Sequence, residues 1–250
     1  MSNDQAIPAA TLIVLRPATG PGPPEILVVE RTAEMAFAGG AIVFPGGRID
    51  PADRALADAL GKPDDAAKIT VIRETLEESA VVTGVVGPLD PLAGPALQAA
   101  LLEGMPFAEL LAKQRLTLDL DSLTAFARWK PAFKQARRFD TIFFLARALP
   151  GEWHPLPQPG ECKAAEWASA TALLRRIAAG EASAIFPTLR NLERIAQYTS
   201  FDSALADARA HSLDTIVPWI EERGGVPHVC IPEDRGYPKT AEPVTTAIRA

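Results

Sequence analysis

Three glutamates and an arginine stand together in the run Arg73-Glu74-Thr75-Leu76-Glu77-Glu78-Ser79-Ala80-Val81. Residues three and four apart share one face of a helix, so Glu74 is a neighbour of both Glu77 and Glu78. Like charges at that spacing destabilise a helix unless a cation neutralises them. Carboxylate oxygens are hard ligands, suited to divalent ions such as Mg²⁺ or Mn²⁺. Arg73, four residues before Glu77, can pair with it and hold its carboxylate in place. Taken alone, three helical glutamates would read as a solvated face. A second feature shifts that reading. Phe44-Pro45-Gly46-Gly47 closes an apolar stretch with two residues that lack a Cβ, which lets backbone or phosphate approach closely.

The elements that must position these groups follow from pattern and punctuation. Residues 9–16 (AATLIVLR) and 26–30 (ILVVE) are apolar and β-branched and predict two strands, paired as a hairpin across the turn-rich TGPGPP. Residues 41–44 predict a short third strand that stops at Pro45-Gly46-Gly47. Pro51 suits a helix start, Gly61-Lys62-Pro63 breaks that helix, and the next runs to about Ser79. Residues 81–86 predict a strand. Residues 96–115 predict two helices split at Gly104-Met105-Pro106. Strands are expected over 123–129, 139–149 and 162–167, with a loop of four prolines at 150–160. Helices are expected over 171–179, 188–198 and 203–210, and an apolar edge over 226–232. Hairpin strands interspersed with helices fit a mixed sheet covered by helices. The expected layout is one domain over 1–250, with a core of about 9–180 and a C-terminal helical extension of about 181–250.

The chain has 250 residues, 48% of them hydrophobic, enough for one large domain with a substantial core. A net charge of −6 argues against a nucleic-acid-binding surface, which is usually basic. Two cysteines, Cys162 and Cys230, are too few for a disulfide framework. No stretch approaches about 18 consecutive apolar residues, so no membrane span is expected. The N-terminus lacks the basic and apolar regions of a signal peptide, which leaves the cytoplasm as the expected location. Self-association as a homodimer stays open. His154, His211 and His228 show no metal-ligand spacing. Trp129, Trp153 and Trp167 suit core packing better than base stacking.

The residues at 47–81 resemble the signature of the Nudix hydrolases. Separated from Gly47 by five residues, Asp53 stands at the acidic position. Arg73-Glu74-Thr75-Leu76-Glu77-Glu78-Ser79-Ala80-Val81 keeps the closing arginine and all three glutamates. Thr75 replaces an apolar residue, Ala80 replaces a glycine, and an insertion lengthens the spacer. Counted back from Arg73, Asp65 fills the acidic position as well as Asp53 does. A narrower resemblance, to the coenzyme A diphosphatase branch, rests on Arg31, Gly40 and Phe44-Pro45-Gly46-Gly47 in register, with Thr32 and Ala36 departing from that motif. Together the resemblances cover about residues 9–235.

The family resemblance implies an α/β Nudix fold, a mixed β-sheet sandwiched between helices with extra helical insertions. It implies hydrolysis of a nucleoside diphosphate derivative, a small-molecule substrate, with Mg²⁺ or Mn²⁺ held by Glu74, Glu77 and Glu78. Arg73 would orient the glutamates, and Gly46 and Gly47 would shape the adjoining loop. Glu161 is the first choice for a further acid outside the signature, ahead of Glu152 and Glu166. Arg31, Arg137 and Arg138 would contact substrate phosphates. The branch resemblance implies coenzyme A or acyl-coenzyme A as substrate. A nucleotide-sugar or dinucleotide pyrophosphatase, and a ligand-sensing module without turnover, are the alternatives.

Overall fold

A computed structural model describes residues 6–35, 38–131 and 138–247. Its strands are β1 (Ile7–Arg16), β2 (Glu25–Arg31), β3 (Ile42–Val43), β4 (Gly46–Arg48), β5 (Val85–Val86), β6 (Thr117–Leu118), β7 (Thr124–Trp129), β8 (Phe139–Arg147), β9 (Cys162–Ser169), β10 (Trp219–Arg223), β11 (Val226–Cys230) and β12 (Ala241–Pro243). The helices that matter below are α1 (Pro51–Ala59), α2 (Ala66–Ser79), α3 (Gly94–Leu102), α4 (Phe107–Gln114), α5 (Ala170–Ala178), α6 (Phe186–Ile195) and α7 (Phe201–Ala210). Among the described residues no helix is long and apolar enough to cross a membrane.

The central sheet has the order β3-β2-β1-β8-β7, with β4 also on β1 and β9 also on β2. It is mixed: β1 runs parallel to β8 from Ile7–Phe139 to Leu15–Arg147, while its other neighbours are antiparallel. The unbroken apolar run Leu12-Ile13-Val14-Leu15 marks a strand covered on both faces. Leu12 and Val14 join Leu27 in one core with Ile69, Ile72 and Leu76 of α2, Leu97 and Leu101 of α3 and Leu110 of α4. Ile13 and Leu15 join Ile26 and Val28 in a second core with Leu173 of α5, Leu192 and Ile195 of α6 and Ala204 and Ala208 of α7. The helices expected as additions around the core are therefore the outer layers of an α/β/α sandwich.

Four expectations need correction. The β1–β2 hairpin forms but pairs only at Leu15–Ile26 and Arg16–Glu25. Beyond that point the strands part. β2 takes β3 (Val29–Val43, Glu30–Ile42) and β9, while β1 takes β4 (Ala9–Arg48, Ala10–Gly47, Thr11–Gly46). Phe44-Pro45 crosses the gap, so Gly46-Gly47 does not end a strand but begins one. The strand expected over 81–86 is only Val85–Val86, because Gly84 takes φ +65 and breaks the extended run. The segment beyond residue 180 is not only helical: β10, β11 and β12 form a three-stranded antiparallel sheet in it.

One polar clasp sets the packing of α1 on α2. Asp53 is 2% exposed, and Arg73 reaches its two oxygens through Nε at 3.0 Å and Nη2 at 2.9 Å. The Thr70 hydroxyl donates to the same carboxylate at 2.8 Å, and the Asp50 N–H at 3.3 Å. Asp65 instead pairs locally with Lys68 at 3.0 Å. The spacer thus resolves the choice between the two acids: Asp53 stands where Arg73 can use it. Removing one partner of a buried pair leaves an unpaired buried charge, so Asp53→Ala is expected to cost about 3–5 kcal/mol. Asp65→Ala, a surface pair, should stay within about 1 kcal/mol. Urea unfolding of the two variants checks this.

Candidate active site

α2 presents its acidic face to the gap between β1 and β2, and β4 lies directly against it. A Cβ on Gly47 would stand 2.4 Å from Glu74 Oε1, and one on Gly46 would stand 2.4 Å from the Ala10 carbonyl oxygen. Neither glycine takes a left-handed φ, so the pair is needed for close approach, not for a turn. The Gly46 N–H points away from β1 and donates to Glu78 Oε2 at 3.0 Å. From the end of β2, Arg31 Nη1 comes to 3.6 Å from Glu78 Oε1. Arg73, besides holding Asp53, reaches Glu74 Oε1 at 3.0 Å and Glu77 Oε2 at 2.8 Å.

The C-terminal end of α2 is fastened as firmly as its start. Gln98 Nε2 donates to the carbonyls of Glu77 and Leu156 at 2.8 and 3.0 Å. The N–H groups of Gln158 and Leu156 donate to the carbonyls of Glu78 and Ser79. The proline-rich loop is thus stitched to α2, which delivers Gln158 and Glu161 to the same cavity. Thr75, polar where the signature is apolar, donates its hydroxyl to the Val71 carbonyl at 2.6 Å and leaves no unmet polar group. Ala80 takes φ 57 at the helix end, the conformation that glycine adopts at least cost. An L-residue there costs roughly 1–2 kcal/mol.

Too much negative charge is buried here for the cations at hand. Burial works against the Arg73 charge, but the hydrogen bond to Asp53 and the charges of Glu74 and Glu77 outweigh it and raise its pKa. Burial raises Glu77, partly offset by Arg73. Burial pushes Glu74 up to about 7 despite Arg73 beside it. Glu78 is pushed up to about 8 by burial and then by the Glu74 charge, against the Gly46 N–H and Arg31. Carboxylates held this far above their ordinary range favour a proton or another cation. The donors are all hard oxygens, which fits a divalent ion of the Mg²⁺ type. Among the described residues no three His, Cys, Asp or Glu side chains stand ready as a cation cage, because Arg73 and Gly46 already hold the carboxylates.

One cavity of about 900 Å³ takes in the site, and Arg31, Gly46, Gly47, Arg73, Glu74, Glu77, Glu78 and Glu161 all line it. Arg138 lies beside Pro131, with Nη2 at 3.5 Å from its carbonyl oxygen. Arg137 and Ala36 lie outside the described residues. Glu166 pairs with Arg176 at 2.5 Å on the far strand β9. Trp129 is a core residue, its Nε1 donating to Tyr237 Oη at 2.9 Å, although its edge also reaches the cavity. Sequence reasoning missed Arg48, Lys130 and the wall formed by 184–188, 218, 229 and 247. Arg48 directly follows the glycine pair and could have been found from it. The C-terminal wall carries no local signal.

No family model and no curated protein matches the chain. Among solved structures, the chain is similar to a Nudix hydrolase from Alicyclobacillus acidocaldarius, with 31% identity over 81% of this chain and 96% of that one and a TM-score of 0.68. It is also similar to the Nudix domain of NrtR from Shewanella oneidensis, solved with ADP ribose, at 14% identity over 76% of this chain and 86% of that one, with a TM-score of 0.44. The identity and coverage of the first match agree with the Arg73–Asp53 clasp and the glutamate face of α2: the chain belongs to the Nudix hydrolases.

Proposed function

We propose that this enzyme hydrolyses the diphosphate linkage of coenzyme A or an acyl-coenzyme A, giving 3′,5′-ADP and 4′-phosphopantetheine or its acyl form. The meeting of Arg31 with Glu78 carries the reading. Arg31 belongs to the upstream coenzyme A motif and Glu78 to the acidic helix, and they lie 3.6 Å apart in one cavity. A strand-end arginine with no catalytic use would be expected in solvent. This one is largely buried, and its Nε has no hydrogen-bond partner among the described residues. In this reading a substrate phosphate in the cavity pairs with the Arg31 guanidinium.

In this reading Glu74, Glu77 and Glu78 hold Mg²⁺ or Mn²⁺. When bound, such an ion neutralises diphosphate charge and acidifies a coordinated water. Arg73 positions Glu77 and is itself positioned by Asp53. Arg31 orients the phosphates from the cavity wall, and Arg138, just before β8, is assigned the same task by the resemblance although it does not line the cavity. Glu161, opposite Glu78, takes the proton from the attacking water. Gly46 and Gly47 keep the floor of the site free of side chains. The whole chain acts as one domain, since residues 184–188 line the cavity together with the acidic helix.

A substrate panel of coenzyme A, acyl-coenzyme A, nucleotide sugars and dinucleotides, read by mass spectrometry with Mg²⁺ or Mn²⁺, decides the substrate. Release of 3′,5′-ADP is expected. Turnover of another nucleoside diphosphate derivative with coenzyme A untouched would transfer the assignment to that class. Glu78→Gln should lower kcat by at least about two orders of magnitude. Gly47→Ala forces Glu74 aside and should cost about 10²-fold in kcat/KM, with the fold retained by circular dichroism.

The raised Glu78 pKa also sets a pH dependence. A carboxyl whose folded pKa exceeds its unfolded one contributes stability that is full below the unfolded pKa and is lost as pH rises through the folded one. The metal-free enzyme should therefore lose stability as pH rises from the ordinary carboxylate range towards about 8. Glu78→Gln should flatten that loss, and saturating Mg²⁺ should reverse it in the wild type. Thermal melts across pH, with and without metal, provide the comparison.

A further inference from the structure

The cavity wall carries both acidic and basic groups. Glutamates line part of it, and another part is built by the N-terminus of α6, Ile185, Phe186, Pro187 and Thr188, with Trp129 and Lys130 at the end of β7. The Trp129 and Phe186 rings meet edge to face at 6.1 Å, which brings the two sides of this wall together. α6 has ten residues and no side-chain cap, and Pro187 occupies its first turn. The N–H groups of Phe186 and Thr188 are the donors that such a terminus leaves unpaired, and none of their hydrogen bonds is made among the described residues. Thr188 is 3% exposed, lines the cavity, and its hydroxyl has no hydrogen-bond partner among the described residues. Lys130 lines the same wall and makes no ion pair among the described residues. An unpaired hydroxyl on a buried residue, two unpaired N–H groups at a helix start and a lysine are the donors that an anion takes.

We propose that this wall is a second anion subsite that binds a phosphate monoester of the substrate, apart from the diphosphate at the acidic end. The inference rests on the coenzyme A reading, in which the 3′-phosphate of the adenosine is that group. Trp129 and Phe186 would bound the nucleoside between the two anionic ends.

The test compares coenzyme A with 3′-dephospho-coenzyme A as substrates, and 3′,5′-ADP with 5′-AMP as ligands by calorimetry. The wild type should favour the 3′-phosphorylated member of each pair at least tenfold. Lys130→Met, and separately the near-isosteric Thr188→Val, should each reduce that ratio several-fold. Equal use of both members by the wild type, or an unchanged ratio in both variants, would overturn the subsite and leave the diphosphatase reading intact. Tighter binding of 3′,5′-ADP that depends on Lys130, with no hydrolysis of coenzyme A, would retain the subsite and refute the reaction.

Discussion

Most of the acidic site is held together by one largely buried arginine. Arg73 is shared among Asp53, Glu74 and Glu77, and each of those contacts does a different job. The bond to Asp53 locks α1 to α2. The bond to Glu77 fixes a carboxylate on the cavity side, and the contact with Glu74 tempers a negative charge with little solvent. Guanidinium suits this role because it stays charged when buried and its planar fork serves several acceptors at once. A lysine at the same position would offer a point charge and lose the two-pronged grip on Asp53.

The arginine does not finish the neutralisation, and uncompensated negative charge remains on the helix face. Glu74 and Glu78 stay well above the ordinary carboxylate range because the protein holds them out of water and close to other carboxylates. A fold selected only for stability would not keep them. Their persistence is a local conflict of the sort that functional sites retain, compensated by the rest of the core. The sandwich supplies that compensation through two apolar layers, one on each face of β1. Cys162 feels the same field: burial first, then Glu78, pushes its thiol up to about 12, so it is an inert neighbour of the site.

The opposite wall shows how the C-terminal segment enters the design. Arg190, one turn beyond Phe186, is 1% exposed, with Nη2 on Glu193 and on Glu242 at 2.8 Å, and it faces the Phe186 ring at 5.1 Å. Arg194 spans to Asp207 of α7 and to the Phe126 carbonyl of β7. These two buried arginines tie α6 to the sheet and to the last strand, so the cavity wall is held by residues far apart in the chain. α3 and α4, by contrast, pack behind α2 and contribute nothing to the cavity.

Much of the site was legible in the linear chain because helical periodicity is local. The spacing of Glu74, Glu77 and Glu78 determines that they share a face, and the pairing of Arg73 with Glu77 follows from the same geometry. The apolar runs determine β1, β2 and β8, since strands buried on both faces must be continuously hydrophobic. The acid that Arg73 holds could not be read this way. Asp53 and Asp65 are equivalent by counting, and only the packing of α1 on α2 brings one of them within hydrogen-bonding distance. The use of Gly46 and Gly47 was equally hidden, because what excludes a Cβ there is Ala10 and Glu74, atoms from other elements. The far wall of the cavity is wholly a tertiary product. Lys130 and Thr188 carry no motif, and their common surface exists only because the sheet and the buried arginines of α6 bring them together.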